Sequence, residues 1–136
     1  VLVDDDGAGR DAVKAAKERS LATTKNTILT TCKGLNEAEL EDCLNPNIYI
    51  DEVFDTHGVD LNCKEFKNNK KKWSQRMKDS FQDQGRSWDK ETEKSVKFIV
   101  SKKVEENPGG SVLKEKSGIF FALASAVENS LSEQNQ

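Results

Sequence analysis

The stretch SGIFFALASAVENSL, residues 117–131, is the most apolar in the chain and carries a single charge, Glu128. Apolar positions recur there with helical spacing. Val112, Ile119, Phe120, Leu123, Val127 and Leu131 define one broad face. A helix of this composition is expected to be the most buried element, with the rest of the chain packed around it. Helical neighbours point about 100° apart, so Phe120 and Phe121 cannot both sit at the centre of that face. Phe120 belongs to the core face. Phe121 falls on the other flank among Ser117, Gly118, Ala124 and Ser125, where small side chains leave room for another helix, a ligand or a second chain.

Working toward the N-terminus, NPGG at 107–110 is a break, and Ser111 can cap the last helix. The helix before it is predicted from Ser87 to Glu106, with Asp89, Glu91 and Glu93 at its start and Lys102 and Lys103 near its end, as the helix dipole favours. Its stripe is Val96, Ile99 and Val100, and Phe98 again points elsewhere. Trp88, in its first turn, is expected to close one end of the fold or line a pocket mouth. A helix from Asp60 to Gln84 stops at Gly85, and Asn36 with Glu39 reads as a capping box for a helix ending at Asn45. Asn45-Pro46 then starts a helix carrying Tyr49, Ile50, Val53 and Phe54 that stops at Gly58. A first helix is predicted from Asp11 to Lys33 along Val13, Ala16, Leu21, Thr24, Ile28 and Cys32, with Gly34 as its stop. Residues 1–10 are left as a flexible acidic arm and 132–136 as a frayed polar tail. The predicted fold is all-α: a single-domain bundle over residues 11–131 of five to six mostly antiparallel helices, with one disulfide.

With 136 residues, the chain can bury a core without metal or dense disulfides. A net charge of −3 argues against a nucleic-acid binder, and no apolar run reaches the ~18 residues of a membrane span. Cys32, Cys43 and Cys63 match no zinc or redox spacing. Antiparallel connections bring Cys63 back to the level of Cys32, so Cys32–Cys63 is the expected bridge and Cys43 the free thiol. One disulfide, together with the start at Val1 without an initiator Met, points to a secreted protein; the alternative is a cytoplasmic protein with three reduced thiols.

Little in the sequence indicates catalysis. The only histidine, His57, sits among Asp51, Glu52, Asp55 and Asp60, without calcium-loop or triad spacing. No enzyme, cofactor or metal site is expected. The basic run is more suggestive: on a helix, Lys64, Lys67, Lys71 and Lys78 would line one flank of a stripe made by Phe66, Trp73, Met77 and Phe81, a surface for an anion or an acidic partner. The favoured function is a small binding protein that holds an apolar molecule between its helices, with Phe98, Phe120, Phe121 and Trp88 lining the site. The alternative is an interaction protein, or a subunit of a larger assembly, that works through a basic or hydrophobic patch and binds a protein partner. Cys43 or the Phe121 face is then available for a dimer.

Overall fold

Six of the nine residues from Thr23 to Thr31 are β-branched, a composition that favours extended backbone over helix. The computed structural model describes residues 1–22 and 27–135. In it, two short strands, β1 (Leu2–Asp4) and β2 (Ile28–Thr30), pair in parallel with Leu2 opposite Ile28. Between them lies α1 (Gly7–Glu18), which starts where the Asp6 carboxylate accepts from the Gly9 N–H at 2.8 Å. Gly9 is required here, because a Cβ would lie 2.0 Å from the Asp4 carbonyl oxygen. The helix ends before Ser20, whose φ of 57° is left-handed. The predicted helix from Asp11 to Lys33 is therefore two elements, and the fold is mostly helical rather than all-α. The predicted stripe position Thr24 lies outside the described residues.

The acidic residues assigned to a mobile arm are anchors. Asp4 accepts from the Leu40 N–H at 3.0 Å, Asp5 exchanges two backbone hydrogen bonds with Ala38, and Asp6 pairs with Lys72 at 2.7 Å. Segment 38–45 is thus stitched to the N-terminus at one end. At the other, Leu44 bridges Val112, and the Asn45 N–H donates to the Ser111 carbonyl at 2.7 Å. Instead of the helix expected over 36–45 there is a single 3-10 turn, Leu40–Cys43, since so many of the segment's polar groups are bonded to other parts of the chain.

Three further helices carry the main core. α2 (Ile50–His57) follows the Asn45-capped turn Pro46–Ile48, and Gly58 ends it in the left-handed region, as the sequence predicts. α3 (Trp73–Asp83) begins thirteen residues later than the predicted start at Asp60. Asn68, whose side chain accepts from the Lys70 N–H, holds the chain in turns until Lys72. α4 (Lys90–Glu106) starts where Asp89 accepts from the Thr92 N–H at 2.8 Å. Two contacts, Glu52 with Lys103 and His57 with Ser95, make α2 antiparallel to α4. α3 also runs antiparallel to α4: the Lys97 ammonium sits over the Trp73 ring, and Phe81 packs on Trp88 at 4.9 Å between centroids. Trp73, Tyr49, Met77, Phe81, Val53 and Val96 are almost fully buried between these helices.

α5 (Gly118–Gln134) is the largest departure. The helix expected to be most buried has one buried residue, Ile119. It starts at Gly118 instead of Ser111 because 111–113 is used by the bridge to Leu44 and 114–116 by a 3-10 turn, and it runs on through residues assigned to the frayed tail. Ile119 joins Cys32, Ala38 and Cys43 in a second, small core. The expected Cys32–Cys63 bridge is absent and all three thiols are free. With the C-terminal part of the predicted Asp11–Lys33 helix replaced by β2 and the helix expected over 36–45 by a 3-10 turn, Cys32 faces segment 42–43, while the Cys63 thiol points to the Ser80 hydroxyl at 3.4 Å.

Candidate functional site

α3 has no cap of its own, since its N-cap residue is Lys72. Glu39 and Asp42 cap it from across the fold. Asp42 accepts from the Trp73 N–H at 3.2 Å and Glu39 from the Ser74 N–H at 2.7 Å. The other Asp42 oxygen takes Arg76 at 2.6 Å, and the Arg76 guanidinium lies over the Phe66 ring. Lys72 bridges Asp6 and Glu39, and the Lys116 ammonium donates to the Asp42 carbonyl at 2.9 Å. This buried polar network fixes segment 39–43 between α3 and the start of α5, and with it the surfaces on either side.

One of these surfaces is an apolar groove of about 320 Å³ between α4 and the two bridged segments. Leu40, Leu44, Val100, Val104, Val112 and Phe120 line it. Its rim is the weak pair of Glu41 and Lys97, 4.0 Å apart. Burial raises the Glu41 carboxyl above its ordinary value. Burial also works to lower Lys97, but Glu41 and Glu93 outweigh it and hold the ammonium above its usual range. Lys97 already serves two carboxylates, so the groove suits a neutral apolar occupant.

The second surface is α5 itself. Phe121 is 70% exposed, Leu131 56% and Val127 51%. Leu123, Val127 and Leu131 overhang a shallower groove of about 190 Å³ shared with Val1 and Ile28. Of the four aromatics expected around one ligand, the structure brings together none. Phe120 lines the 320 Å³ groove, Trp88 packs on Phe81, and Phe98 and Phe121 are each 70% exposed. Phe121 lines neither groove.

The lysine flank predicted from helical spacing is likewise dispersed, because residues 61–72 form turns. Lys64 reaches Glu65 at 3.4 Å, Lys71 pairs with Asp79 at 2.6 Å, and Lys67 and Lys78 are exposed. His57 turns away from its acidic neighbours toward Ser95 and the Phe81 ring, and burial lowers its pKa. Burial, with Cys32 alongside, pushes the Cys43 thiol up to about 12, which makes it a poor nucleophile. Sequence reasoning missed the α3 caps Glu39 and Asp42. The available signal was a helix start without a cap of its own, but nothing local says which carboxylates will supply it. No protein family, no curated protein and no solved structure matches the chain, so this geometry carries the functional reading alone.

Proposed function

We propose that this chain is a non-enzymatic interaction protein whose working surface is α5, and that a second copy of the chain occupies that surface. The observation that carries the reading is a 17-residue helix with one buried residue and no charge between Gly118 and Val127. A helix apolar on all sides is stable in water only when something covers it. Charge complementarity favours a second, antiparallel α5. Lys114, Glu115 and Lys116 precede its N-terminus with one net positive charge, and Glu128 and Glu133 lie in its C-terminal half. A pairing centred on Ser125 brings the Glu133 end of one helix to the Lys114 end of the other and opposes the two helix dipoles. At 1.5 Å per residue α5 is about 25 Å long. One such pair buries less than the about 800 Å² per partner of tight complexes, so the association is expected in the micromolar range.

Sedimentation velocity over a concentration series tests this. Reversible dimerisation that Phe121→Asp and Val127→Asp abolish, with helicity unchanged, supports it. Wild-type chain that stays monomeric up to about 100 μM overturns it. The groove beside Phe120 supports a second reading, carriage of a neutral apolar molecule of roughly ten heavy atoms at about 30 Å³ each. Displacement of a fluorescent apolar probe that weakens in Phe120→Ala but not in Phe121→Asp would favour that reading over assembly.

A further inference from the structure

A further cavity is lined by five cationic side chains and no acidic one. Lys33, Lys70, Lys71, Arg76 and Lys116 surround a pocket of about 310 Å³ in a chain that is acidic overall. They come from four places in the fold: Lys33 from the turn at Gly34, Lys70 and Lys71 from the loop before α3, Arg76 from α3 itself, and Lys116 from the 3-10 turn before α5. Placing like charges around one concavity costs Coulomb energy, which an anion in that concavity would reverse.

Two of the five are already matched. Asp42 takes Arg76, and Asp79 takes Lys71. The other three are not. Among the described residues no ion pair involves Lys33, Lys70 or Lys116, and Lys116 has one bond, to the Asp42 carbonyl oxygen. Arg76 also keeps a buried Nε–H with no acceptor among the described residues. The neighbouring, larger cavity of about 530 Å³ shares Lys70 and Lys71, but its Arg10 and Lys72 are held by Asp5, Asp6 and Glu39. The N–H groups that open α3 are no rival site, since Asp42 and Glu39 occupy them.

The geometry points to an anion-binding site formed by Lys33, Lys70 and Lys116, with Arg76 at its base, for a ligand carrying clustered phosphates. Three unmatched ammonium groups suit a multiply charged anion better than a monovalent one. A volume of about 310 Å³ holds roughly ten heavy atoms, more than a single phosphate fills.

Calorimetric titration of the full chain with inorganic pyrophosphate at low salt tests the site. Saturable one-to-one binding is expected. Lys33→Gln with Lys70→Gln, both exposed and outside the buried network, should weaken it at least about tenfold. Lys64→Gln with Lys67→Gln removes the same charge elsewhere and should leave it within about twofold. No saturable binding, or equal weakening in the two double variants, overturns the proposal, because general attraction to a basic surface would then suffice. Co-sedimentation with phosphatidylcholine vesicles containing a phosphoinositide bisphosphate assigns the source. Retention that pyrophosphate competes away makes a lipid headgroup the ligand, and pyrophosphate binding without retention makes it a soluble polyphosphate.

Discussion

Replacing Asp42 with Asn tests the claim that a carboxylate from one segment organises the start of α3. The side chain is fully buried, with one oxygen on Arg76 at 2.6 Å and the other shared by the Glu39 and Trp73 N–H groups. Asn keeps the shape and removes the charge. Arg76, with its side chain 13% exposed, is left as a largely buried cation without its partner. The new amide must also turn its NH₂ toward either Arg76 or the two backbone donors. Removing one partner of a buried pair costs about 3–5 kcal/mol. That is a large share of the about 5–15 kcal/mol that holds a domain folded. At about 2–4 °C per kcal/mol, Tm should fall by roughly 6–20 °C. Urea denaturation followed by circular dichroism reads the loss directly. Arg76→Met in the Asp42→Asn background should recover much of it, because an apolar side chain has no charge to leave unpaired. A loss below about 1 kcal/mol, or a double variant no more stable than Asp42→Asn, would refute the account of the network.

Two further outcomes follow from buried groups. Burial lowers the His57 pKa, so the unfolded chain binds its proton at higher pH than the folded chain does. Stability from this group is present above about pH 6.5 and is lost as pH falls through the lower folded value. His57→Gln should therefore flatten the fall in stability between about pH 7 and pH 5, and an unchanged slope would place the titration elsewhere. The second concerns the thiols. The Cys32 sulfur lies 3.6 Å from the Asp42 carbonyl oxygen and the Cys43 sulfur 3.9 Å from that of Thr31, so the two segments run side by side. Slow thiol–disulfide exchange with a small disulfide should link Cys32 to Cys43 and add about 3 kcal/mol for so short a loop. Peptide mapping that recovers Cys32–Cys63 instead would contradict the placement of β2.

Where local rules were sufficient, the sequence was legible. Asn45-Pro46 starts the turn Pro46–Ile48 that leads into α2, and Gly58 ends α2, because a cap, a fixed φ and a left-handed stop act on immediate neighbours. α4 with its Val96, Ile99 and Val100 core face could be read for the same reason. The N-terminal third is less legible: Val13 to Cys32 follows one helical stripe only across a five-residue step from Ala16 to Leu21, and the β-branched run after it favours a strand. Likewise, the basic run has helical spacing, but Asn68-Asn69 within it is a turn signal that interrupts it. The cations that gather around one pocket, Lys33, Lys70 and Lys116, share no local spacing, so only the tertiary structure brings them together.

The sequence by itself determined that SGIFFALASAVENSL is helical and that Phe120 and Phe121 face different ways, because both follow from 3.6-residue periodicity along one segment. Only the tertiary structure decided what lies against that helix. Trp73, Tyr49, Met77 and Phe81 already fill the main core between α2, α3 and α4, leaving space on the second core for Ile119 and the edge of Phe120. Composition states how strongly a surface avoids water. Which surface meets it depends on where segments distant in sequence pack, and here that leaves Phe121 outside.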